Sequence, residues 1–251
     1  MKFRIALLLL CMVLPIFARP VSPFSLPVGT VVLDAGHGGH DPGATAVHQY
    51  ESEVLIEEKH IVLDIMLRVA ESLRQREPGI AVVTTRSDDR YLPLEERSEI
   101  AASTDPGVGK SSLFISIHAN SAPVEEANGF ELLVKPTDVR VHFLNSTTPD
   151  WALVRYANHT MAELNRLLNR QTLLLASTME QSLATRFPQS RDRGIKEQDV
   201  WILNMSRIPS VLVEIGFISN PEEASLMITD AWRSEMAEAI VDGIGNYLNR
   251  D

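Results

Sequence analysis

The chain has 251 residues, of which 45% are hydrophobic and 22% charged, with a formal net charge of −10. That length holds one α/β domain with a sizeable core and little beyond it, and the composition excludes wholesale disorder and a membrane bundle. The acidic balance, with no basic patch to offset it, also argues against non-specific binding to nucleic acid or anionic lipid.

Residues 1–18 read as a secretory signal peptide: Lys2 and Arg4 form a short positive region, residues 5–14 are apolar apart from Cys11, and Pro15 and Ala18 suggest a cut. The apolar run is shorter than the roughly 20 residues a spanning helix needs, so no stable membrane insertion is expected. Cys11 is the single cysteine, and a mature chain without it has no disulfide, thiol nucleophile or thiolate ligand. Residues 19–29 read as a linker. Residues 30–250 read as one exported domain.

Within the domain, residues 30–34 are a short β-branched and apolar run, the pattern of a buried strand, and a Gly-rich turn follows directly. Ile61, Ile65, Met66, Val69 and Leu73 recur at helical spacing and predict an amphipathic helix from 57 to about 73. Residues 80–85 predict a second strand, 94–102 a short helix, 113–117 a third strand and 130–134 a fourth. A helical stretch from 151 to 187, interrupted near Asn169, carries Leu164, Leu167, Leu168, Leu174 and Leu175 as its apolar stripe. Residues 200–203 and 211–214 read as two further strands, and 231–248 as a closing helix. Strands alternating with helices predict an α/β fold, a three-layer αβα sandwich: a mixed, mostly parallel sheet of about six strands, with helices on both faces and active groups at strand ends.

Histidine is the usual metal ligand, and His37 and His118 each follow an apolar strand where the chain leaves the sheet, so their imidazoles can converge although distant in sequence. Gly36, Gly38, Gly39 and Gly43 allow left-handed backbone and close approach to the main chain. No Gly-Lys-Ser/Thr or G-x-G-x-x-G pattern accompanies them, which argues against a phosphate cradle. A catalytic zinc site commonly adds a carboxylate to its histidines and keeps one open position. Glu57 and Glu58 both stand in the first turn of the next helix, and periodicity does not choose between them. Glu214 ends the run Val211, Leu212, Val213 and precedes Ile215. Burying an unpaired carboxylate is costly, so Glu214 has a metal, a basic partner such as Arg86 or Arg193, or a raised pKa. Without a basic partner it is suited to deprotonate a zinc-bound water and protonate a leaving amine. His40, His48, His60, His142 and His159 read as surface residues, and neither Ser116 nor Ser219 sits in the G-x-S-x-G elbow of a serine hydrolase.

The strings VVLDAGHGGHDPGA (31–44), EEKHIVLDI (57–65), SIHAN (116–120) and VLVEIGFISN (211–220), in this order, resemble the zinc-dependent N-acetylmuramoyl-L-alanine amidases of the bacterial cell-wall type. TRSDDRYLPLEER (85–97) and RGIKEQDVWILNMSRIPSVLVE (193–214) extend the resemblance over most of residues 30–250. It implies hydrolysis of the amide between the lactyl group of N-acetylmuramic acid and L-alanine, with peptidoglycan as substrate and one Zn2+ per chain on His37, Glu58 and His118. Glu58 is preferred over Glu57 because it directly precedes the lysine, as in the family's E-K pair. Glu214 matches the catalytic glutamate, and Asn120, Arg86 and Arg97 fall in family motifs as supporting residues. Two rival readings are a zinc peptidase acting on stem peptides and an inactive, amidase-like wall-binding regulator.

The segment between Val134 and about Ser182 is longer than a simple strand-to-helix connection and reads as a helical insertion at about 136–181. In division-associated amidases an inserted helix covers the zinc with a blocking carboxylate until an activator protein relieves it. By that resemblance Glu163 or Glu180 is a candidate blocker and an activator acting on the insertion a candidate partner. A monomer is expected.

Overall fold

A computed structural model describes residues 21–146 and 148–249, so the expected signal peptide lies outside the described residues. The strands are β1 (Val28–Ala35), β2 (Thr45–Gln49), β3 (Glu53–Glu57), β4 (Ala81–Thr84), β5 (Ser111–Asn120), β6 (Phe130–Val134), β7 (Asp192–Glu197) and β8 (Ser210–Phe217). The helices are α1 (Glu58–Arg76), α2 (Leu94–Ser103), α3 (Asp150–Tyr156), α4 (Met161–Arg186), α5 (Trp201–Asn204), α6 (Pro221–Met227) and α7 (Asp230–Leu248).

Six strands form one sheet in the order β4-β1-β5-β8-β6-β7. Neighbours are parallel except β6, which runs antiparallel to β8. Alternation along each strand assigns the faces. Leu113, Ile115 and Ile117 of β5 join Val31, Leu33, Val211 and Val213 in the larger core, under α1, α4 and α7. The alternate positions Val32, Phe114 and Leu212 pack with Ala101 of α2 and with Ile202 and Leu203 of α5. Continued two residues at a time, that second face carries Asp34, Ser116, His118 and Glu214 toward the carboxyl ends of the parallel strands.

The expected six-stranded αβα architecture is present, with several local differences. Residues 200–203, expected as a strand, lead into the short helix α5, because Ile202 and Leu203 are adjacent yet both bury on the same side of the sheet. The edge strand is instead β7, a polar segment without a hydrophobic run. The long helical stretch breaks at residues 157–160 rather than at Asn169. Thr160 caps α4 by accepting from the Glu163 N–H, and Asn169 sits inside α4. Helix α4, within the segment expected as a helical insertion, packs against α7, β6, β7 and β8. Residues expected as linker are also packed: Phe24 is 2% exposed among Phe143 and Tyr156, and Val28 opens β1. Among the described residues, no helix is long and apolar enough to cross a membrane.

Candidate active site

The turn after β1 aims His37 back across the strand ends. His37 itself has φ of 59°, a left-handed conformation that costs an ordinary side chain energy and persists only where the surroundings impose it. Two buried arginines impose it here. Arg86 donates to the carbonyls of Ala35 (2.9 Å), Gly36 (2.8 Å) and Lys59 (2.9 Å), and Arg97 donates to those of Ala35 (2.6 Å) and His37 (2.5 Å). Arg97 also pairs with Asp34 at 2.8 Å, while Ser116 and Thr85 donate to the same carboxylate at 2.7 and 2.6 Å.

This frame brings three expected residues together. His37, Glu58 and His118 each place a ligand atom within 4.8 Å of the others. Glu58, at the start of α1, is 3% exposed and lies between the imidazoles: its Oε2 is 3.2 Å from His37 Nε2 and its Oε1 is 2.9 Å from His118 Nδ1. The backbone N–H groups of Ala44 and Ala119 fix the carboxylate by donating to it at 2.8 and 3.0 Å. Asp41 accepts from His37 Nδ1 at 2.8 Å, a carboxylate behind the imidazole that orients the ring. Glu57 faces elsewhere, 3.4 Å from His60. Gly36 and Gly43 are required by contact. A Cβ at 36 would lie 2.2 Å from His118 Cε1, and one at 43 would lie 2.5 Å from Glu58 Oε2.

The electrostatics follow from this geometry. Burial disfavours charge on both Glu58 and His37, yet each more than offsets it for the other: the histidines hold the Glu58 carboxyl well below the usual range, and Glu58 with Asp41 raises His37 to about 9. His118 is likewise raised, against burial, by Glu58.

Glu214 is the next position in the same row, register partner of His118 across β5 and β8. Neither expected basic partner reaches it, for Arg86 is engaged with backbone carbonyls and Arg193 with Glu131. Its Oε2 is buried with no hydrogen-bond partner. Burial pushes the carboxyl up to about 7, a rise opposed by His118 and helped by Glu58 and Glu131.

The match to known proteins agrees with this arrangement. Residues 31–246 fit the family model for N-acetylmuramoyl-L-alanine amidase. The chain belongs to that amidase family. It is 30% identical to the N-acetylmuramoyl-L-alanine amidase AmiA of Escherichia coli K12, over 87% of this chain and 76% of AmiA. It spans 52% and 35% of two longer members. Among solved structures, the catalytic domain of the amidase CwlV from Bacillus (Paenibacillus) polymyxa var. colistinus superposes with a TM-score of 0.66 at 27% identity, covering 89% of this chain and 99% of that one. The CwlD amidase from Clostridioides difficile, solved in complex with the GerS lipoprotein, gives 0.65 at 26% identity, covering 89% and 100%. The amidase class is that of a hydrolase acting on the peptidoglycan amide between N-acetylmuramic acid and L-alanine.

The remaining expected residues take distinct places in the amidase. Asn120 donates to Glu131 at 2.9 Å, and Glu131 is the partner of Glu214 on β6. Glu163 is 3.6 Å from His159, and Glu180 lies beside Gly194 and Asp192 on the edge strand; neither joins the His37–Glu58–His118 group. His48, expected at the surface, is buried with Nε2 2.8 Å from the Ile218 carbonyl, and the His159 ring is 3% exposed. Asp34, Asp41 and Glu131 were not singled out from sequence. Glu131 carries the signal that drew attention to Glu214, an acid between apolar neighbours in a strand.

Proposed function

We propose that this amidase is zinc-dependent, with His37, Glu58 and His118 as ligands and Glu214 as general base and then general acid. The donor set fits the metal: two imidazoles and a carboxylate, with His37 oriented by Asp41 and Glu58 by the Ala44 N–H, are a common catalytic zinc set with a position left open. When bound there, zinc polarises the scissile carbonyl and lowers the pKa of a coordinated water toward about 7.

The observation that carries the reading is Glu214: a half-buried carboxylate, its Oε2 buried without a hydrogen-bond partner, in register with the His118 ligand and with its pKa raised to about 7. A base poised near the working pH both accepts and returns a proton readily. Glu214 takes the proton of the attacking water and delivers it to the amine of L-alanine as the amide breaks. The pairs Asp41–His37 and Ala119 N–H–Glu58 hold the ligands in place while this happens.

Because peptidoglycan lies outside the cytoplasmic membrane, export to the periplasm or cell-wall space belongs to the same reading, with residues 1–18 as its signal. A protein partner also belongs to it, on the precedent of CwlD with GerS. The test is end-group analysis of digested peptidoglycan. New L-alanine amines without new free amino acids, abolished by chelation and restored by zinc, support the reading. Released amino acids would mean a peptidase, and digestion insensitive to chelation would overturn the zinc assignment.

A further inference from the structure

Past the base, the same row of the sheet carries a second polar group. Glu131 is 5% exposed and faces Glu214 across β6 and β8. Three side chains converge on its carboxylate. Asn120 donates to Oε1 at 2.9 Å, Arg193 Nε donates to Oε2 at 2.7 Å, and Lys196 Nζ donates to that same Oε2. Two cations thus share one carboxylate oxygen. Glu223 acts on Arg193 through space, but its two oxygens are committed to the N–H groups of Gly129 and Phe217 at 2.8 and 2.7 Å. Asp192 at the head of β7 is turned onto the Gly194 N–H.

The cations also keep donors to spare. Arg193 lies over the Phe217 ring at 4.8 Å and donates through Nη1 to the Asn128 carbonyl, while its Nη2 makes no hydrogen bond among the described residues. Lys196 Nζ has no described acceptor other than Glu131. The Lys196 side chain is 40% exposed and that of Arg193 24%, so these free donors face solvent beside the catalytic row.

We propose that Arg193 and Lys196 form a carboxylate-binding subsite for the leaving peptide, taking the carboxylate on the residue that follows L-alanine; this rests on the amidase reading above. Adjacent strands lie about 4.8 Å apart, so the cations converge over Glu131 one strand spacing beyond the base. An extended peptide advances about 3.4 Å per residue, so the carboxylate that ends the residue after L-alanine, two such advances from the scissile nitrogen, lies at about 7 Å, within reach of both side chains. A guanidinium offers a planar fork and an ammonium a compact charge, and together they favour a carboxylate over a neutral amide at that position. Glu131 then holds the two cations in place.

The test uses two soluble muramoyl dipeptides that differ only in whether the carboxyl of the residue after L-alanine is free or amidated. For the zinc-loaded wild type, kcat/KM for the acid is expected to exceed that for the amide about tenfold. In Lys196→Gln the ratio is expected to collapse toward one, with Lys196→Arg restoring most of it, and the loss to lie in KM more than in kcat. If the wild type does not discriminate between the two, or if the ratio survives Lys196→Gln, the subsite is wrong while the amidase reading stands. Cleavage of neither dipeptide, with peptidoglycan also untouched, would sink the amidase reading and the subsite with it. A wild-type ratio near one overturns the subsite even if a variant fails to fold.

Discussion

Asp34 and Arg97 are 1% and 3% exposed and lie 2.8 Å apart, an ion pair that water does not reach. Burial alone would push the Asp34 carboxyl upward, but Arg97 beside it, with the Ser116 and Thr85 hydroxyls, holds it below the ordinary carboxylate range. A depressed folded-state pKa stabilises the protein above the unfolded value of about 3.9, and that stability is lost as pH falls through the folded value. Asp34→Asn leaves Arg97 buried and uncompensated, so it is expected to cost about 3–5 kcal/mol near pH 7. Urea unfolding should show the gap to wild type narrowing below about pH 4. A constant gap across that range would mean the pair contributes nothing through charge. A second single-residue test is Gly36→Ala. Its Cβ would meet the His118 ring at 2.2 Å, so zinc affinity is expected to fall at least tenfold in a competition titration, with the fold intact by circular dichroism.

At the scale of elements, what was legible follows from pattern. Helix α1 was readable because its apolar residues repeat at helical spacing, and β1, β5, β6 and β8 because they are largely buried apolar runs. The β2–β3 hairpin was not, since its inward contacts are few: Ile56 and His48 are buried while Val47 and Leu55 stay exposed. The strand β7 was missed and α5 misread for one reason. Charged Arg193, Lys196 and Glu197 occupy an edge strand serving Glu131, whereas apolar Trp201, Ile202 and Leu203 make a single helical turn that seals the second face. The His37–Glu58–His118 cluster was legible by residue type and strand position, except that periodicity did not separate Glu58 from Glu57. Only the resemblance did so, and the geometry of Glu58 between the two imidazoles agrees with it. What sequence could not supply was the second layer, Asp41, Asp34 and Glu131, whose roles depend on contacts across strands and turns. Of these, Asp34 and Glu131 bond residues far along the chain, Arg97 and Arg193.

Across the whole molecule, the chemistry and the added structure sit at opposite ends of the sheet. The segment after β6 leaves beside the start of β8, since Leu133 pairs with Leu212, and α3 fastens there through Tyr156 to the Arg207 carbonyl at 3.4 Å. Phe143, Tyr156, Leu164 and Phe24 form a separate small core at that end, away from His118 and Glu214. A blocking role for the 136–181 segment would require a rearrangement that brings Glu163 or Glu180 to the His37–Glu58–His118 group. Phe143→Ala is expected to destabilise the protein by about 3–5 kcal/mol while leaving kcat/KM of the folded enzyme within twofold of wild type. Enhanced activity in that variant would instead reveal an inhibitory contact.

The central claim, that Glu214 is the base beside a zinc site built from His37, Glu58 and His118, is tested most directly by measuring zinc content and peptidoglycan hydrolysis together for wild type and Glu214→Gln. The account predicts about one zinc per chain in both proteins and a loss of about 100- to 10,000-fold in hydrolysis for the variant. A variant that keeps both its zinc and most of its activity would contradict it.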